Sequence, residues 1–146
     1  MKFKEGNMAV KVVLDEGAKM PTRAHSTDAG LDLYSRSEVI IYPMESATFD
    51  TGVHMAFEPG TYGKIESKSG LNVKRGIVAC GGILDEGYTG SIVVKLYNLS
   101  DERYTFNVGD KIAQLIIQRY ENPELVQVDK LEETDRSNNG FGSTGR

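Results

Sequence analysis

The 146-residue chain sets 17 Lys and Arg against 21 Asp and Glu, a formal charge of −4, with both signs spread along its length. That length suits one domain with its own core, and the even charge argues against a partner held by non-specific attraction, nucleic acid above all. A single cysteine, Cys80, excludes an internal disulfide or a Cys-rich zinc site, and no stretch reaches membrane-spanning length.

In chain order, Met1 to Gly6 lack the apolar run of a secretory signal, which, with one cysteine read as a buried, inert thiol, implies a cytoplasmic protein. Ala9 to Leu14 and Val39 to Tyr42 are short β-branched runs, and Gly52 to Phe57 alternates at period two; all three predict strands. Ser91 to Tyr97 and Lys111 to Ile117 predict two more, apolar enough to be covered on both faces or to meet another subunit. Turn residues separate them at Glu58 to Gly60, Gly81-Gly82, Glu86-Gly87, Asn98 to Asp101 and Val108 to Asp110. One or two helical turns are expected near Ser69 to Arg75. Asp15 to Met20 and Ser100 to Asn107 read as surface loops where a regulatory protein partner of unknown identity would have room. The pattern predicts an all-β sandwich or jelly roll.

Within this frame five segments hold chemistry. In Asp28-Ala-Gly-Leu-Asp-Leu-Tyr-Ser35, Asp32 lies between two leucines, so its carboxylate points away from the side they bury; its plain structural role is a solvated surface acid. In Gly63-Lys-Ile-Glu-Ser-Lys-Ser-Gly-Leu71, Lys68, Ser69 and Gly70 bring an ammonium, a hydroxyl and a helix start together, a combination suited to phosphate; the plain alternative is an N-cap serine beside a surface lysine. In Gly81-Gly-Ile-Leu-Asp-Glu-Gly-Tyr-Thr-Gly90, glycines let a flat ligand approach the main chain, Ile83 and Leu84 anchor a strand, and Asp85 opens a turn followed by Tyr88. In Gly109-Asp-Lys-Ile-Ala-Gln-Leu115, Gln114 is the one amide, and its plain role is to satisfy a backbone group. The tail Arg136-Ser-Asn-Asn-Gly-Phe-Gly-Ser-Thr-Gly-Arg146 sets Phe141 among glycines and hydroxyls between two guanidinium forks; it is either a frayed terminus or an arm that orders over an anionic ligand bearing a ring.

The remaining polar residues are assigned no chemistry. His25 and His54 share no ligand spacing with each other or with Cys80. Ser35 and Ser69 lack the partners of a nucleophilic serine. Tyr34, Tyr42, Tyr62 and Tyr97 read as strand packing.

Together, in this order, the five segments resemble the five motifs of the trimeric dUTPases, from about Pro21 to Arg146. Ala29-Gly-Leu-Asp-Leu33, Gly82-Ile-Leu-Asp85 with Tyr88 and Gly90, and Gly140-Phe-Gly-Ser-Thr-Gly145 carry most of the likeness. The resemblance implies a jelly-roll-like β-barrel over residues 1–134 and a flexible C-terminal arm over 135–146 that closes on the active site. It implies Mg²⁺-assisted hydrolysis of dUTP to dUMP and pyrophosphate, which limits uracil incorporation into DNA and supplies dUMP.

Residue by residue, Asp85 matches the carboxylate that takes a proton from the attacking water, and Tyr88 the ring that leaves no room for a 2′-OH. Gly82, Ile83 and Leu84 match main chain that reads uracil. Lys68, Ser69, Gly70 and Gln114 match phosphate-binding positions, although position 68 is usually arginine in the family, and lysine loses the bidentate fork. Phe141 matches the ring over uracil; Arg136, Gly142, Ser143 and Thr144 match the grip on the phosphates. No residue is implied as a direct metal ligand: phosphates and waters hold the Mg²⁺, with Asp32 in support. The resemblance further implies a homotrimer with sites shared between subunits. Two other functions remain open: a regulatory, protein-binding module on this scaffold, and a dCTP deaminase-related enzyme, against which Asp85 and the Phe141 tail both argue.

Overall fold

A computed structural model describes residues 9–145; Arg146 lies outside the described residues. Eleven strands and one helix follow in chain order: β1 (Lys11–Leu14), β2 (Leu31–Tyr34), β3 (Val39–Ile41), β4 (Ser46–Asp50), β5 (Val53–Ala56), β6 (Thr61–Glu66), α1 (Ser69–Arg75), β7 (Ile77–Ala79), β8 (Ile83–Leu84), β9 (Val93–Asn98), β10 (Tyr104–Phe106) and β11 (Lys111–Arg119). They make four antiparallel groupings, β2-β11-β6-β8, β4-β9-β7, β1-β5 and β10-β3, wrapped as a jelly-roll-like barrel. The all-β expectation holds, and no described helix is long and apolar enough to cross a membrane.

The inward residues of these strands form one core, with Leu33, Ile41, Ile65, Ile77, Leu96, Phe106 and Leu115 buried in contact. Period-two alternation produces it: β6 buries Thr61, Gly63 and Ile65 and half-exposes the residues between. Phe49 and Phe106 meet edge to face at 5.3 Å, joining β4 to β10. The buried Asn98 side chain donates to the carbonyls of Ile41, at 2.9 Å, and Glu102, at 2.7 Å, which fixes the turn after β9 without leaving a polar group unpaired.

Helix α1 occupies the expected place. It ends at Gly76, whose left-handed φ of 66° lets its N–H close on Asn72, and Lys74 and Arg75 lie in the last turn, where positive charge is favourable. Three other expectations fail. Ser100 to Asn107 is no loop, since it contains β10 and buries Phe106 completely. Cys80 is exposed rather than buried, because it lies past the end of β7 where the chain turns outward. Tyr42 follows β3 and is 47% exposed, so it does not pack. Of the two alternatives for β9, cover on both faces within the chain is ruled out, since the strand alternates regularly and leaves Val93 on an open face; the other, contact with another subunit, stands.

Candidate active site

Strands β2 and β11, with the β6–α1 turn, bring three of the five segments together. Asp32, on β2, is not a solvated acid: the residue is 4% exposed and both carboxylate oxygens are bonded. Lys68 Nζ donates to Oδ1 at 2.5 Å, and Lys111 Nζ lies 3.0 Å from Oδ2. Burial alone would raise the Asp32 pKa; the hydrogen bonds and charges of Lys68 and Lys111 outweigh it and hold the pKa below the ordinary carboxylate range. The same contact raises the Lys111 pKa. Gln114 faces Asp32 across the β2–β11 ladder and donates Nε2–H to the Ser67 carbonyl at 2.9 Å, which pins the turn carrying Lys68 to the sheet. Gly30 makes room for that amide, since a Cβ there would sit 2.1 Å from Gln114 Oε1. Ser69 is not the N-cap. It is the first helical residue, exposed beside the equally exposed Gly70, and the cap position belongs to Lys68, whose backbone is extended.

The segment of residues 81–90 forms the hairpin around β8. Gly82 lies at φ 100°, where an added Cβ would come 2.6 Å from that of Ile65; its carbonyl accepts from the Ile65 N–H at 2.8 Å. Leu84 is buried and anchors the strand, while Ile83 points outward, 59% exposed. Asp85 is exposed at the start of the turn that its carbonyl closes with the Tyr88 N–H, and the Tyr88 hydroxyl donates to the Ser91 carbonyl at 2.7 Å. The hollow of about 270 Å³ between them is lined by Gly82, Ile83, Leu84, Asp85, Tyr88 and Val93. A larger hollow of about 610 Å³ opens on the other flank, against Tyr62, Glu86 and Tyr120, so Asp85 stands on a crest between the two.

Among the described residues, the hydrogen bonds of the tail stay within residues 134–145. Arg136 Nε donates to the Asn139 carbonyl, Ser143 N–H to Gly140 and Gly145 N–H to Gly142. Phe141 is fully exposed, and Thr144 and its neighbours are exposed with it. Arg146, the second fork of this segment, falls outside the described residues.

One chain therefore sorts the predicted residues into three separate places. Asp32, Lys68 and Gln114 meet; Gly82 to Tyr88 form a second group; Arg136 to Thr144 form a third. The first spans β2, β11 and the end of β6, so that Asp32 on β2 lies three strand spacings from β8, roughly 14 Å at about 4.8 Å per spacing, while Lys68 follows β6, the strand paired to β8.

Among the described residues no three His, Cys, Asp or Glu side chains converge into a metal cage. The donors present, exposed Asp85 and a buried Asp32 already shared by two ammonium groups, fit a Mg²⁺ that arrives on phosphate oxygens and keeps its waters, not one caged by protein. Two residues were not legible in the sequence as part of the site. Lys111 looks like an ordinary strand-entry lysine, and its spacing of three from Gln114 would put it on the opposite face of a regular strand. Glu86 accepts from the Gly60 N–H and the Tyr120 hydroxyl, tying the Asp85 turn to the ends of β6 and β11, and no motif announces it.

The family model for dUTPase matches residues 16–145. The deoxyuridine 5′-triphosphate nucleotidohydrolase of Corynebacterium efficiens is 48% identical, covering 91% of this chain and 75% of its own length; that of Mus musculus is 42% identical, covering 92% and 83%. Among solved structures, the Staphylococcus bacteriophage 80alpha dUTPase with dUPNHPP superposes with a TM-score of 0.86 at 31% identity, over 96% of this chain and 100% of that one. A phage phi11 dUTPase variant described for its coordination of a structural Mg(II) ion gives a TM-score of 0.80 at 31% identity, over 86% and 100%.

Proposed function

The chain belongs to the dUTPase family, and we propose that it is a dUTP diphosphatase whose β8 hairpin hydrolyses dUTP to dUMP and pyrophosphate. The observation that carries this reading is the hairpin itself, where an exposed carboxylate lines one hollow with Gly82, Leu84 and Tyr88. Uracil enters against Gly82 to Leu84, where glycine keeps side chains away from the base edge and the backbone supplies donors and acceptors. Tyr88, held by its bond to Ser91, lies against the deoxyribose and occupies the space a 2′-OH would need.

Asp85 holds a water in line with the α-phosphorus and takes its proton as the new P–O bond forms and the bond to the bridging oxygen breaks, releasing pyrophosphate. Lys68, Ser69, Gly70 and Gln114 receive the phosphates. Mg²⁺, when bound on the phosphates, would draw charge from the reacting oxygens. Asp32 supports it at a distance by fixing the lysines, because both of its oxygens already carry a hydrogen bond.

The placement of Asp32 and Asp85 at the two edge strands of one sheet, with Phe141 bare to solvent, favours a site assembled from more than one copy, in a homotrimer. The arm of residues 135–146 is the third contribution, with Phe141 stacking on uracil and Arg136, Gly142, Ser143 and Thr144 closing on the β- and γ-phosphates. Leu125, Val126, Val128 and Leu131, all exposed in the single chain, lead into it and would find cover on a neighbouring copy. One exposed thiol and a nucleotide substrate suit the cytoplasm.

Pyrophosphate release from dUTP, dCTP, dTTP and UTP with Mg²⁺ tests the reading. Release from dUTP alone is expected. Ammonia released from dCTP would instead favour the deaminase-related enzyme, and no turnover of any substrate would favour a binding module.

A further inference from the structure

Lys111 reaches Asp32 because β11 contains a bulge. Residues three apart in a regular strand face opposite sides, yet Lys111 and Gln114 share the Asp32 face. The register explains it: Lys111 pairs with Tyr34 and Ala113 with Leu33, so Ile112 is an extra residue that turns Lys111 onto the site face. Bulges re-aim side chains, and this one delivers a second ammonium to a carboxylate that already has one. One negative charge set against two positive ones leaves the cluster net positive, one cation beyond what the buried carboxylate needs.

The two lysines are not held alike. The main chain of Lys111 is paired to β2, whereas Lys68 lies in the turn before α1, with extended backbone and no cap bond, next to Ser69 and Gly70. A buried carboxylate with a single partner cannot release it without being left uncompensated. With two partners, it can release one.

Resting on the dUTP reading above, we propose that Lys111 is a positioning residue that stays on Asp32 while Lys68 turns from Asp32 to the triphosphate. Asp32 holds Lys68 in reserve in the free protein, and Lys111 keeps the carboxylate compensated in the complex. The site thereby gains a phosphate-directed cation without exposing or neutralising its buried acid.

The test compares binding of dUpNHpp, which carries the full triphosphate, with binding of dUMP, which lacks the outer phosphates. Lys111→Gln should weaken dUpNHpp by about tenfold or more and leave dUMP within about twofold, because Lys68 can no longer leave. Lys111→Arg should restore dUpNHpp binding. Asp32→Asn added to Lys111→Gln should also recover it, since no buried charge then retains Lys68, and this double variant answers the question even where Lys111→Gln alone folds poorly. In a Lys68→Met background, Lys111→Gln should have no further selective effect. Equal weakening of both ligands, or an undiminished selective effect in the Lys68→Met background, would overturn the proposal. Failure of the wild-type protein to hydrolyse dUTP would overturn the functional reading and this inference together, whereas normal turnover without the selective effect would overturn this inference alone.

Discussion

The β8 hairpin and the C-terminal arm hold comparable numbers of the groups proposed to act on dUTP, yet the fold treats them oppositely. The hairpin is fastened on every side: Leu84 in the core, Gly82 against Ile65, Tyr88 to Ser91, and Glu86 to both Gly60 and Tyr120. Among its described residues the arm is bonded only within its own turns and to Thr134 just before it, and its one ring is bare to solvent. The contrast shows where preorganisation is needed. A carboxylate that must hold a water in line gains from a rigid mount, whereas groups that exclude water must first let the substrate in.

Replacing Asp85 tests the rigid half most severely. Asp85→Asn keeps the shape and removes the proton acceptor, so kcat should fall by about 10²–10⁴ while dUpNHpp still binds. Comparable turnover in the variant would move the chemistry elsewhere. Gly82→Ala attacks the mount: the strained φ and the contact with Ile65 should together cost about 2–4 kcal/mol, read as an earlier denaturation midpoint with activity lost alongside. Phe141→Ala should do the reverse, leaving the denaturation midpoint in place and lowering kcat/KM by about ten- to a hundredfold, the equivalent of ~1–3 kcal/mol for one stacked base.

The smallest effect concerns His54, whose ring nitrogens face two acceptors, the Thr89 carbonyl at 2.8 Å and Asp15 at 3.0 Å. The Asp15 hydrogen bond, followed by that to Thr89, raises the His54 pKa above 6.5. A raised pKa means that its stabilisation is fully present below the ordinary value and is lost as pH rises through the folded one. Wild type should therefore melt above His54→Gln in mildly acidic buffer, with the gap closing through neutral to mildly alkaline pH. A gap that widened with pH would show that the neutral ring makes these bonds.

The hairpin and the tail also carried the clearest local signals in the sequence. Gly82, Asp85 and Tyr88, and in the tail Phe141, the residues proposed to act on dUTP, lie within segments of about ten residues, and turn chemistry there leaves a mark. Helix α1 was legible for the same reason, since Gly76 stops it and Lys74 and Arg75 fill its last turn. The Asp32 cluster was not, because its partners come from 36 and 79 residues further along the chain and one of them depends on a bulge. Strand β6 was hidden by its inward residues: Thr61 and Gly63 do not look like a core face, although they are buried. Strand β4 shows only Phe49 as a large apolar residue and β10 is three residues long, so neither displays a period.

The most direct test of a rigid hairpin completed by another copy's arm is subunit complementation. A chain ending at residue 134 and the full-length Asp85→Asn chain, each nearly inactive alone, would be co-expressed and assayed for pyrophosphate release from dUTP. Activity well above either parent is predicted, because the intact Asp85 of one chain meets the intact arm of the other. Mixed oligomers no more active than their parents would contradict it, and would place the arm over its own hairpin.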